Sequence, residues 1–288
     1  LGTASGKLVP GDTTDQPVEI TCTGPFEFQL VGDQQDYVAR FQDNVEVWQF
    51  NPEGPSDQMT CKQLNVQFAP RQIPGSARPI QTGERQRAEF SRLEPHALEA
   101  NGSPVIIFSP QRNFEARSAR MRLTIPEQKI SLDGDVQLRS DQSVVRAPAI
   151  VYTHPASEAG TKIGAFCAQG AGNLSFVPNP EQPNDLLTVA WQDSVQLVRQ
   201  EGEPVLWLQG RPRLAMQGRG QLVADEIKVY LREIAPDDPA ASMAWSLSDH
   251  DQEKIGDGPQ KQDATTVRPD RLLALGNVMF DSPQLAGQ

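Results

Sequence analysis

The sequence predicts an all-β protein: an elongated, folded-over antiparallel sheet built from repeated hairpins. Three observations carry that prediction. Apolar residues alternate with polar ones at a period of two while helical periodicity is nearly absent, one short phrase recurs along the chain, and Gly, Asn, Asp and Pro punctuate the alternating runs. The recurring phrase has a turn of the form Gly/Asp-x-Val, an alternating strand, a polar gap, and then Ala/Thr-x-x-φ-x-φ, where φ is apolar. Repetition of this kind implies stacked supersecondary units that share one elongated core.

Taken in chain order, the first alternating runs are Phe26, Phe28 and Leu30; Tyr37, Ala39 and Phe41; Val45 and Val47; and Leu64, Val66 and Phe68, with Glu27, Gln29, Glu46, Asn65 and Gln67 between them. Each run has one face for a core and one for water. The clearest copy of the phrase follows at 114–152, where Met121, Leu123 and Ile125 lead to Ile130 and Leu132, then to Val136 and Leu138. Asp133-Gly134, between Leu132 and Val136, is a tight-hairpin or bulge signal, and Gly276-Asn277 repeats it. Degenerate copies of the turn and strand lie at 41–48 (FQDNVEVW), 191–198 (WQDSVQLV), 208–216 (LQGRPRLAM) and 275–281 (LGNVMFD). Pro-rich and polar stretches break the pattern, and 243–247 is expected to form a short helical turn.

Composition limits the classes of function. Of 288 residues 38% are apolar, which suits a thin, extended core better than a large globular one. The 26 Lys plus Arg against 37 Asp plus Glu leave a net charge of -11, which argues against a broad basic face for nucleic acid or anionic headgroups. Arg112, Arg117, Arg120 and Arg122 read as a solvated strand face. No segment approaches the run of about 18 apolar residues needed to span a bilayer as a helix, and residues 1–10 lack the apolar centre of a signal peptide. A fresh copy of the turn at Gly276-Asn277-Val278, one strand before the end, leads us to expect a fragment of something longer. Cys22, Cys61 and Cys167 have neither zinc or redox spacing nor the density of a disulfide scaffold. Cys22 and Cys61 are either buried free thiols or a cross-strand pair.

The catalytic inventory is thin. His96, His154 and His250 are isolated, and the chain has no G-x-S-x-G, P-loop or H-E-x-x-H, so no metal or catalytic residue is assigned and no cofactor is expected. Asp43, Asp133, Asp135, Asp193, Asp225 and Glu226 are the carboxylates that a polysaccharide-cleaving site would need. Asp43, Asp133 and Asp193 fall at one place in the repeat, however, and a residue type that recurs in every unit is better explained by turn geometry than by one active site. The alternating apolar face is either a filled core or a hydrophobic trough suited to acyl chains, each buried methylene of which contributes about 0.8 kcal/mol. Candidates for the wall of that trough are Phe28, Val47, Leu123, Leu132, Val136, Ile150, Val189 and Leu197.

From Phe114 to Tyr152 the order of Ala-x-x-Ala-x-φ-x-φ, φ-x-φ-x-Gly-Asp-Val-x-φ and φ-x-Ala-x-x-φ-x-Tyr resembles the repeat of the OstA/LptA-like family of periplasmic lipopolysaccharide-transport β-jellyroll domains. Residues 222–231 (LVADEIKVYL) are similar to that family's L-x-A-D-x-φ-x-V strand, and Leu275-Gly276-Asn277-Val278 to its x-G-N-V turn. The resemblance implies an LptA-like β-jellyroll or β-taco, open at both ends, whose apolar interior carries lipid A acyl chains. It also implies a periplasmic location in the envelope of a diderm bacterium, no cofactor and no catalysis. The expected partners are lipopolysaccharide or another acyl lipid, and other LptA-like proteins or a second copy joined edge to edge, because terminal strands have unpaired N–H and C=O groups; nucleic acid is not among them.

On this reading the chain divides into a flexible N-terminal segment at 1–17, a first β-repeat unit at 18–70, a Pro-rich connector at 71–95, LptA-like repeat units at 96–165 and 166–234, a mobile acidic and Pro-rich loop at 235–269, and the start of a further β-repeat at 270–288. Two other functions fit the same residues: a structural or protein-binding β-repeat domain with a closed core and no lipid ligand, and a carbohydrate-active β-solenoid using Asp and Glu.

Overall fold

The computed structural model describes residues 4–8, 18–31, 36–51, 54–70, 93–140, 143–154, 164–177, 186–234, 245–246 and 266–283. Among them there is no helix, and every strand pairing is antiparallel. The chain falls into two compact units, Leu1–Asp141 and Gln142–Gln288. Residues 71–92 of the Pro-rich connector, and 235–244 and 247–265 of the acidic loop, lie outside the described residues. Of the stretch 243–247 expected to form a helical turn, 243, 244 and 247 lie outside the described residues, while Trp245 and Ser246 pair as strand with Val267 and Thr266.

Unit 1 contains β1 (Ala4–Leu8), β2 (Val18–Cys22), β3 (Phe26–Val31), β4 (Asp36–Gln49), β5 (Asp57–Pro70), β6 (Leu93–Ser109), β7 (Phe114–Thr124) and β8 (Lys129–Ser140). The long strands are interrupted at matching places. Pairing skips from Gln42 to Val45 in β4, from Thr60 to Gln63 in β5, from Asn101 to Val105 in β6 and from Arg117 to Arg120 in β7. These breaks form a crease that divides the sheet into two arms. The first arm holds β3 and residues 36–42, 63–70, 93–101, 120–124 and 129–133; the second holds β2 and residues 45–49, 57–60, 105–109, 114–117 and 137–140. A single layer cannot hide one of its own faces, yet Val45, Leu64 and Ala100 are 0% exposed on both sides of the crease. The two arms therefore cover each other.

Unit 2 is built the same way, but beyond β9, which runs through both arms, its corners separate the strands. It holds β9 (Ser143–Thr153), β10 (Ala165–Gln169), β11 (Gly172–Phe176), β12 (Leu187–Trp191), β13 (Ser194–Gln200), β14 (Glu203–Gln209), β15 (Arg213–Met216), β16 (Gly220–Val223), β17 (Glu226–Ile234), β18 (Trp245–Ser246), β19 (Thr266–Leu275) and β20 (Met279–Asp281). Its first arm runs from the second half of β9 through β10, β13, β14, β17 and β19. Its second arm runs from the first half of β9 through β11, β12, β15, β16 and β20.

The corners explain the recurring phrase. Within each unit, most strands passing from first arm to second turn with residues of positive φ: Asp43 and Asn44, Gly134 and Asp135, Gly170, Gly210 and Arg211, and Gly276 and Asn277. In β6 the corner is Gly102-Ser103-Pro104, with a cis Ser103–Pro104 bond. Several strands passing back turn instead with a small buried residue, Ser118, Ala147 or Ala224, where the closely approaching arms leave no room for a larger one. Gly/Asp-x-Val is thus the outgoing corner at Asp43 and Gly134, whereas its copy at Asp193-Ser194-Val195 joins β12 to β13 and is a returning corner without positive φ; the Ala of Ala-x-x-φ marks returning corners at Ala147 and Ala224. Asp133-Gly134 is accordingly a bulge inside continuous β8 and not a hairpin turn. The hairpin turns lie elsewhere, where Asn113 N donates to Pro110 O at 3.3 Å and Gln128 N to Ile125 O at 3.0 Å.

Candidate functional site: the inner face of the folded sheet

Strand register places the inward side chains in rows parallel to the crease. In unit 1 the row beside the crease on the first arm runs through Phe41, Leu64, Ala100, Met121 and Leu132; its counterpart on the second arm runs through Val45, Cys61, Val105, Ser118 and Val136. Both rows are sealed, at 8% exposure or less. One step outward the rows are mixed. Ala39 and Val66 on the first arm and Ile20, Met59 and Ala116 on the second stay at 8% exposure or less, while Leu123, Ile130, Val47 and Leu138 are half-buried. The inner face therefore closes at the crease and, one step outward, is sealed on some strands and partly accessible on others.

The eight trough candidates differ in burial. Leu132, Val136, Ile150, Val189 and Leu197 are buried at 1–6% exposure beside or near a crease. Val47 and Leu123 are half-buried. Phe28 is 38% exposed although it stacks on Tyr37 with ring centroids 5.5 Å apart, because β3 pairs only with β4 among the described residues and its side chains lack a neighbour on the other side. Phe26, Leu30 and Val31 on the same strand are 46%, 55% and 46% exposed. At the far end of unit 2, Leu272 on β19 and Phe280 on β20 also occupy inward rows and are 47% and 61% exposed. None of the eight candidates lines either of the two described recesses, one of about 270 Å³ at the end of the first arm of unit 2 and one of about 430 Å³ beside the Asp225–Asn277 corner.

The cysteines are free thiols. Cys22 on β2 and Cys61 on β5 flank Val45 of β4, so two strand spacings, about 9–10 Å, separate their backbones. A disulfide needs Cα atoms within about 7 Å, and the cross-strand pair left open by the sequence is excluded by this register. Burial pushes the Cys61 thiol up to about 11, against a weaker opposing effect of a backbone hydrogen bond at Gln63. It is a packing residue and not a nucleophile.

The carboxylates do not converge. Asp43, Asp135, Asp193 and Asp225 belong to four different corners, where Asn277 Nδ2 donates to Asp225 Oδ2 at 2.8 Å and Asp225 N donates to Gly276 O at 2.9 Å. Asp133 directly precedes the β8 corner. Glu226 lies on the outer face and accepts from Trp207 Nε1 at 3.1 Å. Among the described residues no three His, Cys, Asp or Glu side chains are grouped as metal ligands would be. His96 is exposed and His154 half-buried, and His250 lies outside the described residues. Nor is any helix of the described residues long and apolar enough to cross a membrane.

A folded-over antiparallel sheet with an apolar inner face, open at its end strands, defines a β-jellyroll or β-taco. Residues 29–157 match the sequence model of the family described as LptA/(LptD N-terminal domain) LPS transport protein, and this match supports the resemblance to the OstA/LptA-like family. No curated protein matches the chain.

Proposed function

We propose that the chain is a non-enzymatic module of a lipopolysaccharide-transport bridge in the periplasm, which holds acyl chains against the lip rows of its inner face and joins neighbouring modules edge to edge. The partly accessible stretch of the inner face carries this reading. Leu123, Ile130 and Leu138 are half-buried and Phe28 is exposed while Leu132 and Val136 are sealed, which suits a trough with a firm crease. Edge joining is supported by apolar side chains left bare on β3 and on β19 and β20, since a strand added at either end would cover them. The family match over residues 29–157 supports the transport role and the envelope location. The recurrent carboxylates serve corners, so the proposal assigns no catalysis.

Photo-crosslinking tests it. A photoreactive residue at Phe28, Val47 or Leu123 is expected to capture lipopolysaccharide in periplasmic extracts, and one at the outer-face residue Glu115 is not. No capture at any of the three inner positions would overturn lipid carriage. The second reading, a structural domain with a closed core, is favoured by the sealed crease rows; it predicts that result together with retained edge pairing.

A further inference from the structure

Phe108 of unit 1 turns a large aromatic side chain to water from the middle of the sheet. It is 43% exposed although β6 pairs with β5 on one side and β7 on the other, so its exposure does not come from a missing neighbour as that of Phe28 on β3 does. Strand register sets it on the outer face of the second arm, in the row Glu19, Trp48, Gln58, Phe108, Glu115 and Arg139. The next outer row adds Glu46, Thr60, Ile106 and Arg117. The inner face of the same strands is already supplied by Val47, Met59, Ile107 and Ala116, so the core does not call for Trp48, Ile106 and Phe108 on the other side.

The two aromatic residues of the row flank Gln58, and two strand spacings, about 9–10 Å, separate their backbones. Each ring offers an apolar π-face, and the amide between them carries both donors and an acceptor. The charges nearby are answered within the patch: Trp48 Nε1 donates to Glu46 Oε2 at 3.4 Å, Arg117 pairs with Glu115, and Arg139 stands opposite Glu115 on β8. A charged polymer finds little net field there. A protein partner would want a contiguous apolar centre, which Gln58 and Thr60 interrupt. A β-1,4-linked glycan meets the pattern better. It is neutral, its sugars lay C–H faces on aromatic rings while their hydroxyls bond amides, and successive sugars are turned over, so that alternate ones show the same side.

We infer that the outer face of the second arm of unit 1 is a platform for a neutral β-1,4-linked glycan, which crosses β4, β5 and β6 with sugars stacked on Trp48 and Phe108 and hydroxyls bonded to Gln58. The platform lies on the opposite side of the arm from the acyl-chain trough. The two ligands therefore do not compete, and a module holding both would be tethered to a polysaccharide while lipid occupies its inner face.

Titration with cellohexaose and with maltohexaose, which share a composition and differ in linkage, tests it by calorimetry and tryptophan fluorescence. Wild type is expected to bind cellohexaose at least tenfold more tightly than maltohexaose, and Phe108→Ala to weaken cellohexaose about tenfold while melting with wild type. Trp48 is one of four tryptophans, so Trp48→Phe, which keeps an aromatic face, should abolish the fluorescence change and retain most of the affinity. Absence of cellohexaose binding by wild type, equal binding of the two sugars, undiminished binding by Phe108→Ala, or a fluorescence change that survives Trp48→Phe would each overturn the platform. Capture of lipopolysaccharide by a photoreactive residue at Leu123 should be the same in Phe108→Ala as in wild type, and its loss in Phe108→Ala alone would overturn the independence of the two faces.

Discussion

Gly134 and Ala119 meet within the crease of unit 1, on the adjacent strands β8 and β7: a Cβ at Gly134 would lie 2.7 Å from the Ala119 Cβ. Gly134 has φ +82°, a region in which an L side chain is strained, so both the backbone and the neighbour require glycine there. Gly134→Val is expected to lose about 2–4 kcal/mol of stability in urea unfolding, the sum of left-handed strain and overpacking. Asp135→Gly, at φ 47° in the same bulge, should be neutral or slightly stabilising. Equal losses for the two would remove the corner reading of the repeat.

The corner on the last turn has a polar tie in place of this close contact. Asn277, at φ 39°, donates to Asp225. Asn277→Ala forfeits that hydrogen bond and the tolerance of Asn for the left-handed region, and an expected loss of about 1–3 kcal/mol should be seen in thermal or urea melts. Asp225→Asn preserves an acceptor and should cost less.

Val136 is 1% exposed and lies on the crease row of the second arm, while Arg139 on the same strand is exposed. Val136→Asp should cost roughly 3–5 kcal/mol by burying an unpaired charge, and Arg139→Ala should stay within about 0.5 kcal/mol. Coincident melting curves would contradict the inward assignment of Val136.

The end strands separate assembly from stability. Phe280 is 61% exposed, so Phe280→Lys should leave the melting temperature unchanged while reducing any self-association seen by sedimentation. An unchanged sedimentation profile, with wild type associating, would show that β20 is not a joining edge.

The Cys61 thiol titrates near 11, above the ordinary 9.0, so thiol reagents at pH 8 should label it only after unfolding. The same shift makes stability pH-dependent. Below pH 9 the thiol is neutral in both states and nothing is lost; between about 9 and 11 the unfolded chain ionises first, and roughly 2–3 kcal/mol is lost as pH rises. Cys61→Ala should flatten that alkaline limb, measured by urea unfolding between pH 8 and 11.

What could be read from the sequence was the period of two, the order of the repeats and the recurrence of Asp43, Asp133 and Asp193, because strand alternation and turn chemistry are local properties. The inward parity of Val136, Ile150 and Leu197 belongs to the same class. Gly134-Asp135 shows where local information stops. Two successive left-handed residues suit a hairpin turn and a strand bulge equally, and only the partner strand decides between them; here β7 pairs with β8 on both sides of the pair, which makes it a corner.

Exposure along the inner face depends on the tertiary fold in the same way. Phe28 and Leu132 follow one alternation rule, yet one is 38% exposed and the other 5%, because the first sits on a strand with a single described neighbour and the second beside the crease where the two arms close on each other. The separation of Cys22 from Cys61 and the alignment of Leu197 with Leu206 and Val229 are likewise products of register. The sequence by itself determined that this chain makes antiparallel strands with one apolar face, since that follows from period and composition. Which apolar residues became a sealed crease and which stayed half-buried was decided only when the strands paired, because burial and proximity across a sheet are set by neighbours far apart in the chain.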